Sequence, residues 1–239
     1  MLQTPEGPSR TEIWKMFDVI SPTYDLMNRV MTMGFDQYWR KKMLFFLPQK
    51  KEITLLDCAT GTADQLIVLL ENAPEIIQAH GIDLAQEMIR IGEKKICGKP
   101  YAGRVKFEQA SAMSLPYPDN SFDCVTMSFG IRNVTDVLGC LKEIYRVLKP
   151  EGRALILECS IPSNRGIKIA HLFYMRNILP SIGGLIARNK DAYRYLNKTV
   201  ETFPSGEDFC NIMRQADFVH AHAHPLTGGV VSIYRGDKN

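Results

Sequence analysis

From Ile53 onward the sequence alternates short apolar runs with stretches of helical periodicity, and this alternation restricts the chain to few architectures. ITLLD (53–57), AHGIDL (79–84), VKFEQA (105–110), FDCVTMSFG (122–130) and RALILECS (153–160) read as strands of a parallel sheet buried on both faces. The intervening segments read as helices. One carries Leu66, Val68, Leu69 and Leu70, and another spans 88–96. A third carries Leu138, Leu141, Ile144 and Leu148, with Thr135 as its N-cap and Lys149, Pro150 and Gly152 as its stop. A helix around 206–216 and the runs 217–224 and 229–235 close the chain. Only Pro225 to Gly228 separate the last two runs, enough for a hairpin but too little for a parallel crossover. The expectation is a seven-stranded α/β sheet, parallel except for its last strand.

Two segments stand outside this pattern. Residues 11–48 read as a helical cover, with Trp14, Phe17 and Ile20, then Met27, Val30 and Met31 at helical spacing, broken at Ser21-Pro22. Residues 161–203, rich in Tyr, Phe, Asn and Arg, interrupt the alternation. The expected organisation is one domain over 1–239. It comprises a cover (1–50), a cofactor-binding core (51–160), an insertion facing substrate and membrane (161–203), and a C-terminal helix and hairpin (204–239).

Composition narrows the function. With 29 basic and 26 acidic residues the net charge is +3, without the concentrated basic face that nucleic-acid binding requires. No apolar run reaches the ~18–20 residues of a transmembrane helix, and MLQTPEGPSR has no signal-peptide core, so a cytoplasmic location is expected. The six cysteines lie scattered, mostly inside apolar runs, and read as buried small hydrophobes. His220, His222 and His224 alternate along one strand and project to one face. Same-face neighbours on a strand sit ~7 Å apart, so a solvent-facing stripe is the better reading and no metal is assigned.

In an open α/β sheet, ligands bind beyond the carboxyl ends of the strands, where strand order reverses. The first strand runs into Asp57-Cys58-Ala59-Thr60-Gly61-Thr62-Ala63-Asp64, whose small residues, Gly61 at their centre, let backbone approach a ligand. This is neither a dinucleotide GxGxxG nor a phosphate loop. Asp83 ends the second strand about 20 residues on, where a carboxylate accepts hydrogen bonds from vicinal ribose hydroxyls. Ser111-Ala112 and Ser128 fall at the same sheet edge, placed for an adenine and a ligand tail.

DCATGTAD, GIDLAQEM, LPYPDNSFD and above all FGIRNV and YRVLKPEGR resemble the menaquinone/ubiquinone-biosynthesis C-methyltransferase family. The similarity extends to FDVISPTYDLMN (17–28), DAYRYLNKTVETFP (191–204) and LTGGVVSIYRG (226–236), covering roughly 14–236. It implies the class I S-adenosylmethionine-dependent methyltransferase fold, Rossmann-like. It also implies that Thr62 and Asp83 bind the cofactor, with Ser111-Ala112 near adenine and Ser128 near the methionyl portion. Thr60 and Ala63 stand where the family's usual turn, A-G-G-T-G-D, has glycine, so a positive φ at either would carry strain.

The implied reaction is C-methylation of demethylmenaquinol. The alternatives are a methoxy-polyprenyl-benzoquinol substrate or a cofactor-binding module without turnover. Carbon methylation needs an electron-rich ring, as in a quinol deprotonated at one hydroxyl. Arg132 and Asn133, just past strand four, are placed to stabilise that oxygen or to orient a water; Tyr24 is a second candidate across the cleft, and Tyr193 and Tyr195 are further ones. Because the polyprenyl quinol resides in the bilayer, the enzyme is expected to meet it at the inner membrane face. Trp39 to Leu47 and residues 167–186 both set basic beside aromatic and aliphatic side chains, with the second segment favoured for this contact. A homodimer is a further expectation, without a motif of its own.

Overall fold

A computed structural model describes residues 13–179 and 197–239. Seven strands form one sheet in the order β3-β2-β1-β4-β5-β7-β6. They are β1 (Ile53–Cys58), β2 (Ile76–Asp83), β3 (Val105–Gln109), β4 (Phe122–Ser128), β5 (Leu148–Cys159), β6 (Val219–Leu226) and β7 (Val231–Asp237). All neighbouring pairs are parallel except β5–β7 and β6–β7, so the antiparallel strand is the last, as its short connection requires.

The strands bury both faces. Along β1, Ile53 and Leu55 face one apolar layer and Leu56 and Cys58 the other. On one side lie α3 (Asp64–Asn72), with Leu66, Leu69 and Leu70 against the sheet, and the cover helix α2 (Phe35–Lys42), with Trp39. On the other lie α5 (Val137–Val147) and α7 (Glu207–Gln215), which supply Leu141, Ile144, Phe209 and Met213. The N-cap of α5 is Asp136, whose Oδ1 accepts from Gly139 N at 2.8 Å, rather than Thr135. The helix ends at Val147 and the chain enters β5 directly. β5 therefore begins five residues before the expected Arg153, with a bulge between its pairings Phe122–Leu148 and Cys124–Arg153.

The expected break at Ser21-Pro22 does not occur. The cover helix α1 runs unbroken over Ile13–Met31. Pro22 has no N–H to donate to the carbonyl of Asp18, and the Ser21 hydroxyl donates to that oxygen instead, at 2.9 Å. A third apolar cluster joins α1 to the segment after β5, through Met27, Met175, Leu179 and Val200. That segment begins as α6 (Arg165–Phe173) and continues as a wider π-helical turn over Tyr174–Ile178. Tyr193, Tyr195 and residues 180–186 of the proposed membrane segment lie outside the described residues.

Cys58, Cys124, Cys140 and Cys210 are buried in the apolar layers. The histidine alternation is interrupted, because β6 carries a register shift between Val219 and His222, with His220 at φ 50°. His224 packs its ring on Phe46 at 4.5 Å.

Candidate active site

Strand order reverses between β1 and β4, and the site is built on their carboxyl ends. At the base, the fully buried Asp57 accepts from Thr60 Oγ1 at 2.7 Å and Thr126 Oγ1 at 2.6 Å. Burial outweighs these bonds and raises its carboxyl to about 6. The left-handed positions of the loop are Ala59 (φ 50°), Gly61 (φ 56°) and Ala63 (φ 66°). The strain foreseen at Thr60 is thus absent, and the Thr60 hydroxyl fastens the turn, whereas Ala63 does occupy a glycine-favouring conformation.

A cavity of about 220 Å³ opens beside this loop. Gly61, Asp83, Ser111, Ala112 and Ser128 all line it, so five of the six residues expected to hold cofactor converge there. Asp83 Oδ2 accepts from Gly61 N and Oδ1 from Ala85 N, both at 2.9 Å. Burial raises the carboxyl pKa while those amides oppose the rise. Each oxygen keeps lone-pair capacity for a ribose hydroxyl. A Cβ at Gly61 would meet nothing within 4 Å, so the glycine borders open space. Ser128 Oγ donates to Gln65 Oε1 at 3.0 Å, fixing its direction. These features fit an adenosine-bearing cofactor.

Thr62 is placed differently. Its hydroxyl donates to Asp25 Oδ1 at 2.6 Å and accepts from Lys95 Nζ at 3.0 Å, and its side chain does not line the cavity. Lys95 also reaches Asp25 Oδ2 at 2.5 Å and Asp64 Oδ1 at 2.6 Å, and Arg29 reaches Asp64 Oδ2 at 2.9 Å. This network ties α1 to the loop and to α4 (Gln86–Ile96).

A second cavity, about 500 Å³, lies between α1, α2 and α6. Its wall is largely thioether, aliphatic and aromatic, including Met16, Met27, Met31, Trp39 and Tyr174. Phe17, Tyr24, Phe129 and Asn133 line both cavities, so the two meet at those side chains. Phe129 is held at φ 58°, a rare conformation for a bulky residue, with Phe129 N donating to Leu157 O at 2.7 Å.

The candidate catalytic residues all border the larger cavity. Arg132 is buried, and its Nη1 donates to Glu158 Oε1 and to Phe129 O, each at 2.7 Å. Burial disfavours its charge, but the Glu158 carboxylate outweighs burial and holds the guanidinium above its ordinary pKa. Its partner is a β5 residue that no local sequence pattern singles out. Burial raises the Tyr24 hydroxyl pKa, opposed by Asn28 and by the charges of Arg40 and Arg132.

Sequence reasoning missed Arg40, Glu158 and His171. Among the described residues, Arg40 Nε, Arg132 Nε, Asn133 Oδ1 and His171 Nε2 are buried without hydrogen-bond partners, and all four side chains line this one largely apolar cavity. Buried polar atoms are ordinarily paired, so such a cluster marks a place where a polar ligand group is received.

A seven-stranded sheet with this strand order, and an acid at the end of β2 beside a small-residue turn, defines a class I methyltransferase architecture. A solved S-adenosylmethionine-dependent methyltransferase from Thermotoga maritima shares the fold, with a TM-score of 0.66 and 19% identity, covering 95% of this chain and 100% of the other. The chain belongs to the ubiE/COQ5 methyltransferase family, whose pattern it matches over residues 7–238. It is 40% identical over 230 residues to the ubiquinone/menaquinone biosynthesis C-methyltransferase UbiE of Geotalea daltonii, covering 95% of this chain and 96% of that one. Identity is also 40% over 225 residues to the demethylmenaquinone methyltransferase of Thermus thermophilus, covering 93% and 100%.

Proposed function

We propose that this protein methylates a ring carbon of demethylmenaquinol, using S-adenosylmethionine as methyl donor. The carrying observation is that a small polar-edged cavity and a larger apolar one meet at Tyr24, Phe129 and Asn133. The smaller cavity suits the cofactor, with Asp83 on the ribose, Ser111-Ala112 beside the base, and Gly61 and Ser128 toward the amino-acid portion. When bound, S-adenosylmethionine supplies an electrophilic methyl group, so the protein's contribution is positioning and proton handling.

The larger cavity suits a polyprenyl ring. Its wall is largely apolar, and among the described residues Arg132 and Asn133 present an unpaired donor and an unpaired acceptor. Arg132 stabilises a quinolate oxygen, while the Asn133 amide oxygen accepts from a hydroxyl, which a quinol has and a quinone lacks. Tyr24 closes the junction from the cover, and Thr62 supports the loop from beneath α1.

The chain reads as one domain in which the cover (1–50) and insertion (161–203) flank the cofactor core (51–160). The hairpin region (204–239) completes the sheet. Among the described residues no helix is long and apolar enough to cross a membrane. The exposed Ile167, Ile169 and Phe173 of α6 support delivery of substrate from the membrane surface, because this helix also walls the larger cavity.

The test is methyl transfer from labelled S-adenosylmethionine to a short-chain demethylmenaquinol, run beside the oxidised quinone and a methoxy-benzoquinol. Transfer to the reduced naphthoquinol and not to the quinone is expected. Cofactor binding without transfer to either quinol would overturn the reading in favour of a binding module, and exclusive use of the benzoquinol would reassign the ring.

A further inference from the structure

Methylating a quinol carbon replaces a ring C–H by C–CH3 and releases one proton overall, and the ring carbon becomes a strong nucleophile when a base in the cavity takes the neighbouring hydroxyl proton. Most lining groups are unsuited to that task. Arg40 and Arg132 carry protons they do not release. Burial raises the Tyr24 and Tyr174 hydroxyls, and the Tyr174 hydroxyl already donates to Met31 O at 2.7 Å. Burial also pushes the Cys159 thiol up to about 12. Asp36 is committed to Arg29 and to the Thr32 hydroxyl. Among the described residues, the remaining lining base is His171.

His171 occupies the last turn of α6, directly before the helix widens into its π-helical turn. Such widenings recur at functional sites because they re-aim side chains. Among the described residues its Nε2 is buried and has no partner, and it lines a cavity whose wall is largely apolar. Resting on the quinol-methylation reading, we infer that His171 is the general base of the reaction, Nε2 accepting the quinol hydroxyl proton as the ring carbon becomes nucleophilic. The protonated imidazole then returns that proton to the oxygen while the former ring C–H proton leaves to solvent. The new C–C bond forms as the donor's S–CH3 bond breaks, and aromaticity is restored without any oxidant.

The groups that face His171 fit the role. Glu201, on the helical segment 197–202, is held by Arg176 at 2.5 Å and favours the imidazolium. Tyr24, Asp36, Arg40, Arg132 and Cys159 line the rest of the cavity. Burial lowers the imidazole pKa below its ordinary value while Glu201 opposes that, and the net direction favours the neutral ring, the form that accepts a proton.

The experiment measures turnover on reduced short-chain demethylmenaquinol against pH for the wild-type chain and His171→Gln, together with S-adenosylmethionine affinity. Loss of a general base typically costs about 10²–10⁴-fold. A fall of that size is expected in His171→Gln, with cofactor affinity within two-fold and with the acid limb of the wild-type profile abolished. His171→Ala is expected to regain activity when imidazole is added, a recovery that a damaged fold would not show. Turnover of His171→Gln within five-fold of wild type, or an unchanged acid limb, would overturn the inference alone. Absence of transfer by the wild-type chain would overturn the function and the inference together.

Discussion

Arg132 and Glu158 form a buried ion pair at 2.7 Å, with 8% and 0% of their side chains exposed, at the inner wall of the larger cavity. The pair fixes the guanidinium at the cavity wall. Removing one partner of a buried pair typically costs about 3–5 kcal/mol, because the other charge is left unpaired. Arg132→Ala should therefore lose stability as well as turnover. Arg132→Lys keeps the charge but not the planar fork, so we expect a large fall in turnover with S-adenosylmethionine affinity nearly unchanged. Urea unfolding, calorimetric titration and turnover on one preparation check this. Full activity in Arg132→Lys would reduce the role to that of a point charge.

Asp83 is expected to hold the ribose. Asp83→Ala removes charge-assisted bonds and also strips the partners from the Gly61 and Ala85 amides. The loss in cofactor affinity should be about 2–4 kcal/mol, or roughly 30–1,000-fold. Asp83→Asn, which can still accept from one amide, should fall between the two. Isothermal titration with S-adenosylmethionine decides it, and unchanged affinity in Asp83→Ala would remove Asp83 from the site.

How far the sequence reaches is visible in these residues. The sheet was legible because apolar runs and helical stripes are local patterns, and Asp83 and Gly61 were legible because a strand end and a small-residue turn are local too. Ser128 and Ser111 followed from their places at strand ends. Glu158, Arg40 and His171 were not legible, because each acquires its role from partners or cavity walls brought together from distant elements. The resemblance implies cofactor contact at Thr62, and the bond of its hydroxyl to Asp25, 37 positions away in sequence, is one that no local pattern indicates. Pro22 misled for the opposite reason: a local rule predicted a break that the adjacent Ser21 hydroxyl repairs.

The network around Lys95 should govern how firmly the cover sits. Lys95→Met leaves Asp25 and Asp64 without their shared cation, and among the described residues Arg29 alone then remains as a counter-charge in direct contact with Asp64. Burial would raise the Asp64 carboxyl, but Lys95, Arg40 and Arg29 outweigh it and hold it below its ordinary value. The network is partly exposed, so a loss of about 1–2 kcal/mol is expected. Amide exchange should quicken across α1 while β4 stays protected, and equal exchange in α1 would show that apolar contacts alone hold the cover.

Asp57 gives a pH signature of stability. Its folded pKa, about 6, exceeds the ordinary 3.8, so between those values the native state keeps a proton that the unfolded chain releases. Stability from this residue is therefore greatest below pH 4 and falls as pH rises to 6, by at most about 3 kcal/mol. Asp57→Asn is neutral throughout and retains an acceptor for a threonine hydroxyl. Relative to wild type it should be more favourable at pH 7 than at pH 4, as denaturant titrations at both values would read. The reverse trend would mean that the ionised carboxylate is the stabilised form.

The surface of α6 yields the last expectation. Ile169 and Phe173 are 61% and 59% exposed on the helix that walls the larger cavity, whereas Phe45, 77% exposed on the cover, lies beside Lys42. A bilayer substrate reaching the cavity past α6 would bury the first pair in lipid. Each half-exposed apolar side chain transferred to the interface is worth about 1 kcal/mol, so Ile169→Ser with Phe173→Ser should weaken vesicle binding roughly 10–30-fold. Turnover on a water-soluble short-chain quinol should stay near wild type, since neither side chain lines the cavity. Flotation with vesicles containing anionic lipid reads the first effect, and Phe45→Ser distinguishes the surfaces. If Phe45→Ser abolished flotation while the α6 pair did not, the membrane-facing side would be the cover.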